Sequence, residues 1–379
     1  MPPPAPRTRF IPDLAPLILD ALPPSSWWPH DLRRLALAAP AFLAPARTRL
    51  YAHPALASFA ACALLARTLA AAPHLAALVR ALDLKPMRRA GEEVGARELA
   101  GVRALLALPH LQTLSIGGEM AVRAERFLHW VAHPAGIHSL AIDGCALGPS
   151  AGEDDDGDLG FGRLRTGQPA SLEWDESLAF AFSALASLRL AHLELDVAPP
   201  TTPTPYGLHV AALTLDNTTV VGGHLLHLLH GAWPALRRLA VAGKDAPAPL
   251  GQLAPVLAAC AGTLTHAALA GPANPLPLLP REMALVHLAL DGAPLTPADL
   301  ALLPALAPHL VSLHVAGRTT GVPAEAWAAW IEEGACGELR ELGLPGGTCG
   351  PPWGAWGRME RERVREAAAA RGISLVGGA

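Results

Sequence analysis

The chain repeats one short arrangement of apolar positions: an apolar residue, two variable residues, a second apolar residue, one variable residue and a third apolar residue. Alternate side chains at the end of this phrase would point to opposite faces of a β-strand, with the apolar ones in a core. Gly or Asp often follows the phrase, which predicts a turn. Copies begin at Val79, Leu111, Ile137, Leu190, Val210, Leu236, Leu264, Leu285, Leu310 and Leu339, with a partial copy at Ile373.

The spacing of these copies indicates a repeat fold. From Leu193 to Leu342, the middle apolar residues of successive copies lie 20 to 29 residues apart. This is the period of leucine-rich repeats, in which each unit adds a strand and a returning segment to one continuous core. We therefore expect an α/β repeat solenoid, a leucine-rich-repeat horseshoe, over residues 76–379. Helical returns are expected at 224–230 and 297–307.

One gap interrupts the series between Leu140 and Leu193. It is rich in Gly and Pro and contains an acidic run at 153–158. An EF-hand calcium loop is excluded, because Gly152 and Arg163 fall where its first and last ligands would lie. We expect a solvated, disordered acidic insertion at about 148–170.

The variable residue before the middle apolar position should line the outward, concave face of the repeats. His192, Arg238, His266 and His287 occupy this position. Because neighbouring strands lie about 4.8 Å apart, these side chains are predicted to form one column that binds a target protein. The alternative is an ordinary solvated polar face.

Residues 10–51 follow a different pattern. Apolar residues recur there at helical spacing, and Pro and Ser clusters interrupt them, which predicts three short helices. Asp31 is a candidate N-cap of the second helix. So small a core lies below the size that usually folds alone, so the segment is expected to pack on a partner.

This segment resembles an F-box of the degenerate kind that precedes leucine-rich repeats in fungal proteins. The resemblance rests on Ile11-Pro12, on the stretch 32–37 and on the stretch 42–51. It implies a short all-α F-box-like head over residues 1–55, followed by a connecting helix at 56–75. It also implies a non-catalytic substrate receptor of a cullin-type ubiquitin ligase, whose repeats bind an unidentified target protein.

The resemblance further implies that the head binds a Skp-type adaptor protein through an apolar set of side chains. The members of this set are Ile11, Pro12, Leu14, Ile18, Leu19, Leu32, Leu35 and Phe42. The alternative is that these helices cap the open apolar end of the repeats. The chain would then be a protein-binding scaffold with no link to a ubiquitin ligase.

Composition narrows the possible functions. Lys and Arg total 29 against 33 Asp and Glu, so the basic excess of a nucleic-acid-binding protein is missing. No run of about 18 uninterrupted apolar residues predicts a membrane span, and the first ten residues lack the apolar stretch of a signal peptide. We expect a cytoplasmic or nuclear protein. No P-loop, zinc-protease or nucleophile-elbow motif occurs, so no enzyme is expected.

Cysteine and histidine give no metal motif. The cysteines are odd in number and widely spaced, and none form a C-x-x-C pair, which favours reduced core thiols over disulfides or a cysteine zinc site. They are Cys62, Cys145, Cys260, Cys336 and Cys349. His224, His227 and His230 would drift around a helix instead of converging on an ion. No cofactor is expected.

Overall fold

The structure of the protein is a computed structural model that describes residues 14–21, 29–88, 93–145, 169–243, 251–317, 321–344 and 356–376. The predicted adaptor-binding residues Ile11 and Pro12 lie outside the described residues. The predicted insertion at about 148–170 also lies outside the described residues, apart from its last two residues.

Twelve parallel strands form the main sheet, and they follow one another across it in chain order. Three further strands lie between them in sequence and form a second, parallel sheet. The main sheet consists of β1 (Ala55–Leu56), β2 (Ala81–Leu84), β3 (Thr113–Gly117), β4 (Ser139–Asp143), β6 (Ser187–Ala191), β8 (Ala212–Asp216), β10 (Arg238–Ala242), β11 (His266–Ala270), β12 (His287–Asp291), β13 (Ser312–Ala316), β14 (Glu341–Gly343) and β15 (Ser374–Val376). The second sheet consists of β5 (Ser171–Trp174), β7 (Glu194–Val197) and β9 (Thr219–Gly223).

The helices differ widely in length, and the connections from β9 to β10 and from β11 to β12 contain 3₁₀ turns but no α-helix. The α-helices are α1 (Leu14–Ala21), α2 (Pro29–Ala38), α3 (Pro40–Ala52), α4 (Phe59–Ala71), α5 (Pro73–Ala76), α6 (Ala96–Leu106), α7 (Glu125–Leu128), α8 (Glu176–Ala181), α9 (Leu253–Cys260), α10 (Pro297–Leu306), α11 (Ala324–Glu333) and α12 (Arg358–Ala370). The 3₁₀ turns are Gly118–Ala121, Pro134–Gly136, Leu225–His227, Trp233–Ala235 and Leu276–Leu278. Among the described residues, no helix is long and apolar enough to cross a membrane.

The apolar residues of the repeated phrase build one core. Middle residues such as Leu213, Leu288 and Leu313 are at most 1% exposed, and they join a single buried cluster with the inward faces of the helices. Burying one such side chain stabilises the fold by about 1.5–3 kcal/mol. The outward residues of β8 and β12 are half-buried or exposed, as the alternation along a strand requires.

This architecture corrects the predicted fold class: the protein is an α/β fold with a twelve-stranded parallel sheet, and it is not a leucine-rich-repeat horseshoe. Units in the middle of the chain contribute strands to two sheets. Two residues separate β6 from β7, and two residues separate β8 from β9. His192 and Asn217, which start these two turns, have φ values of 54° and 45°. The repeated phrase specifies a strand but not its connection, so it does not predict a uniform unit.

The predicted all-α F-box head is not supported either. Helix α3 packs against α1 and α2, but the chain then enters the sheet directly at β1, which pairs with β2. The sheet therefore begins at Ala55 and not at residue 76. The segment expected to be a connecting helix contains α4, which packs against α6 so closely that a Cβ at Gly101 would collide with Ala63.

The cysteines give a first testable prediction. Cys62, Cys260 and Cys336 are buried, and burial raises the pKa of each thiol to about 11. Cys145 is exposed, contrary to the expectation that all the thiols lie in the core. Because the thiolate is the reactive form, iodoacetamide at pH 8 should alkylate Cys145 more than about 100-fold faster than the three buried thiols.

Peptide mass spectrometry would resolve each position, and full labelling in urea is the control. Cys349 lies outside the described residues, and its peptide is scored separately. Labelling of Cys62 or Cys260 at the rate of Cys145 in the native protein would contradict the described core.

Candidate functional site

Three of the four residues predicted to form an outward column lie side by side on the main sheet. The strand register places Arg238 opposite His266 and His266 opposite His287. The two imidazole rings stack, with centroids 4.3 Å apart and planes inclined by 19°. The same register continues through Ser312 to Glu341. Repetition of one phrase on adjacent strands thus produces a row of polar side chains across the sheet.

A row of alanines lies beside this column and gives the surface its depth. Ala240, Ala268 and Ala289 are adjacent in the register, two residues after Arg238, His266 and His287 on the same strands. Their small side chains leave a groove of about 570 Å³ between the column and the larger side chains at its ends. We call this hollow, lined by outward residues from Ser187 to Glu341, the sheet groove.

The sheet groove continues toward the carboxyl ends of the strands. There Ala242, Ala270 and Ala316 line an adjoining hollow of about 220 Å³. Two carboxylates, Asp216 and Asp291, stand among these alanines. The open face of the sheet therefore carries Arg238 and two imidazoles in one row, alanines along its middle and two carboxylates at one edge.

The electrostatics of the column centre on His266. Its burial lowers the pKa of the imidazole, and the positive charges of His287 and Arg238 lower it further. The ring is therefore mainly neutral at pH 7 and becomes charged only below its ordinary pKa of 6.5. Thr265 Oγ1 lies 2.9 Å from His266 Nδ1 and fixes one edge of the ring.

A third histidine, His314, lines the sheet groove. His314 Nε2 lies 3.4 Å from Glu341 Oε1, and both side chains are about 40% exposed. Gly343 has no side chain, and a Cβ there would collide with the His314 ring. His314 was not among the predicted target-binding residues, because it occupies the second outward position of its strand and not the first.

The fourth predicted residue, His192, does not belong to the column. It lies beyond the end of β6 in a left-handed turn, where its Nε2 is 4.0 Å from Asp216 Oδ2. The phrase that forms β6 begins at Leu185, whereas the overlapping phrase that begins at Leu190 ends in β7 of the second sheet. The overlap of the two phrases at Leu190 explains why the prediction placed His192 on a strand, although it lies in the turn between β6 and β7.

The predicted adaptor-binding side chains are divided between core and surface. Leu19 and Leu32 are buried, and Leu35 and Phe42 are half-buried. Leu14 and Ile18 are exposed by just over 40%. Sequence analysis missed the most exposed apolar side chains of these helices, which are Leu17 at 63% and Leu37 at 87%.

The three-histidine segment forms a 3₁₀ turn and not the expected helix. His224 Nδ1 accepts a hydrogen bond from the Leu226 amide at 3.0 Å, and the His230 ring packs edge-on against Tyr206. Burial lowers the pKa of His227, and the charges of the other two histidines add to the effect. These separate contacts direct the rings to different partners.

Comparison with known proteins does not add to this description, because no protein-family model matches the chain and a search of curated proteins finds no match.

Proposed function

We propose that this chain is a non-catalytic protein-binding receptor, and that the sheet groove holds a segment of its target. The observation that carries the proposal is the alanine row flanked by Arg238, His266 and His287. A basic row beside an apolar hollow suits a segment that presents an acidic side chain next to an apolar one. The receptor would act in the cytoplasm or the nucleus.

The dimensions of the sheet groove favour an extended protein segment over a small molecule. Its lining residues come from β6, β8, β10, β11, β12, β13 and β14, which are consecutive in the sheet. Six intervals of about 4.8 Å span about 29 Å, which is the length of about nine residues of extended chain. An open groove of this length offers contacts to several side chains along one peptide.

Peptide selection with matched variants tests this proposal. Random peptides displayed on phage would be selected on the wild-type chain and then measured on Ala268→Phe, which fills the sheet groove without changing its charge. We expect Asp and Glu to be enriched, and we expect Ala268→Phe to weaken binding by more than about tenfold, the loss of one buried apolar contact. Ala259→Phe is the control, because Ala259 is exposed on α9 and outside the groove.

Equal loss of binding in the two phenylalanine variants would contradict the proposal, since only one of them lies in the groove. Selection of peptides that bind both variants as tightly as the wild type would also contradict it.

A specific observation favours a second proposal, in which the receptor serves a cullin-type ubiquitin ligase through a Skp-type adaptor. Of the eleven exposed large apolar side chains in the described residues, five lie on α1, α2 and α3. They are Leu14, Leu17, Ile18, Leu37 and Leu43. Such a concentration on three short helices suits docking of an apolar partner surface.

Pull-down of a purified Skp-type adaptor by the full chain tests the second proposal. Because Leu17 and Leu37 are exposed, replacing both with Asp should leave the fold intact and reduce adaptor capture by more than about tenfold. Leu302→Asp is the control, since Leu302 is an exposed leucine of α10. Failure of the wild-type chain to capture the adaptor would contradict the ligase proposal. Equal capture by the wild type, the double variant and Leu302→Asp would also contradict it. Neither result would bear on the proposal for the sheet groove.

A further inference from the structure

Three side chains of different metal-binding chemistry converge at the carboxyl edge of the main sheet. Asp143, Cys145 and His192 each offer one ligand atom, and these atoms all lie within 4.8 Å of one another. Asp143 is the last residue of β4 and pairs with Ala191, the last residue of β6. His192 follows directly, so the parallel register brings the carboxylate, the thiol and the imidazole to one place.

Backbone contacts hold the two segments together. The Gly144 amide donates a hydrogen bond to the Ala191 carbonyl at 2.9 Å, and a Cβ at Gly144 would collide with the His192 carbonyl oxygen. The His192 amide donates to the Asp216 carbonyl at 2.7 Å, with the backbone in a left-handed conformation at φ 54°. Such a conformation is uncommon outside glycine and is maintained by its surroundings. These backbone contacts therefore hold the segments that carry the three side chains in fixed positions.

Two carboxylates and one ammonium group lie around the cluster. The Cys145 amide donates to Asp143 Oδ1 at 2.9 Å, and Lys85 Nζ lies 3.1 Å from Asp143 Oδ2. Asp216 adds a second carboxylate, 4.0 Å from His192 Nε2. The Asp143 carboxylate is thus shared with a single ammonium group, with which a metal ion would compete.

We propose that Asp143, Cys145 and His192 bind a zinc ion, with Asp216 beside them as a candidate fourth ligand. Sulfur, imidazole and carboxylate donors together suit zinc, and ligand distances of about 2.0–2.3 Å place tetrahedral ligand atoms about 3.3–3.8 Å apart. The present separations, all within 4.8 Å, would have to close to that range by side-chain rotation. Binding converts the Cys145 thiol to a thiolate, and its proton passes to solvent.

The ion would act as a structural clamp. It would tie the end of β4 to the turn that leads from β6 in the main sheet to β7 in the second sheet. Zinc should therefore raise the unfolding temperature of the chain, since a ligand that binds only the folded state stabilises it.

Metal binding by the full, metal-free chain tests this proposal, with cobalt as a spectroscopic probe and zinc as its competitor. We expect one equivalent of cobalt to give a thiolate-to-metal absorption band that zinc removes. Outer-shell partners alone are worth about 10–100-fold in affinity, so losing a direct ligand in Cys145→Ser or His192→Asn should weaken zinc binding more than about 100-fold. Asn is chosen because it tolerates the left-handed backbone.

Two further variants separate ligand loss from structural damage. His314→Asn removes a histidine of the sheet groove and should leave zinc affinity unchanged. Lys85→Met removes the ammonium that competes for Asp143 and should tighten zinc binding, whereas damage to the fold would weaken it. Absence of the cobalt band in the wild type, or its persistence in Cys145→Ser, would overturn the proposal.

Discussion

Replacement of Trp174 by alanine is expected to reduce the free energy of unfolding by about 3–5 kcal/mol, the usual cost of removing a buried indole. Trp174 ends β5 and is 1% exposed. Its indole nitrogen donates a hydrogen bond to the Leu228 carbonyl at 3.1 Å. The side chain therefore joins the second sheet to the connection between β9 and β10, and its loss leaves a cavity and an unpaired carbonyl.

A pair of conservative variants separates these two effects. Trp174→Phe removes the hydrogen bond along with part of the ring. Trp327→Phe makes the same change where the buried indole nitrogen has no hydrogen-bond partner among the described residues. Trp174→Phe should therefore cost about 1–3 kcal/mol more than Trp327→Phe, the penalty for an unsatisfied buried polar group. Equal losses in urea unfolding would show that the indole hydrogen bond contributes nothing.

Binding of an acidic peptide in the sheet groove is expected to strengthen as the pH falls from 7 to 5.5. The pKa of His266 is lowered, so its ring gains charge within or below this interval, while peptide carboxylates stay ionised down to about pH 4. The new positive charge attracts the peptide, so the sign is an increase in affinity. Charge-assisted contacts at partly exposed sites predict a gain of about 3- to 10-fold.

Charge variants assign this effect to the column. His266→Gln should reduce the pH dependence, whereas Arg238→Gln should weaken binding at every pH. The contacts of His266 and Arg238 with the peptide should both weaken as salt is raised from about 0.05 to 0.5 M, because screening shortens the range of surface charges. His138→Gln serves as a control outside the lining of the sheet groove. An unchanged pH profile in His266→Gln would exclude this imidazole from recognition.

The strands were predictable because one phrase repeats with its apolar positions in register. Strands form at each copy, and middle residues such as Leu239 and Leu288 are buried. The second sheet was not predictable from this pattern. Leu190 can serve as the last residue of one phrase or the first of the next, and only the pairing of whole strands decides between them. The connections vary in the structure because the phrase places no constraint on them.

The candidate site was likewise predictable only in part. Arg238, His266 and His287 were predictable as neighbours, since equivalent positions on adjacent strands must lie together. The alanine row went unnoticed because small residues carry no chemical signal in a sequence rich in alanine. The group of Asp143, Cys145 and His192 could not be predicted either, because its members lie on both sides of residues 146–168 and meet only through the register of β4 and β6.

In the N-terminal segment, the sequence predicted the helices but not the exposure of their side chains. Helical spacing predicted three helices, and α1, α2 and α3 are present. Spacing alone did not show which apolar side chains stay exposed, since that depends on how α3 packs against its neighbours. Leu32 is buried and Leu37 is exposed, although both are apolar residues of α2.

Photo-cross-linking of a selected peptide to the wild-type chain tests the central claim most directly. A peptide carrying photo-leucine at its apolar position would be bound and irradiated, and the linked residues would be mapped by mass spectrometry. We expect the cross-links to fall on outward residues of β10, β11, β12 and β13, around Ala268, and to disappear in Ala268→Phe. Cross-links that map to the N-terminal helices, or that persist unchanged in that variant, would contradict a binding function for the sheet groove.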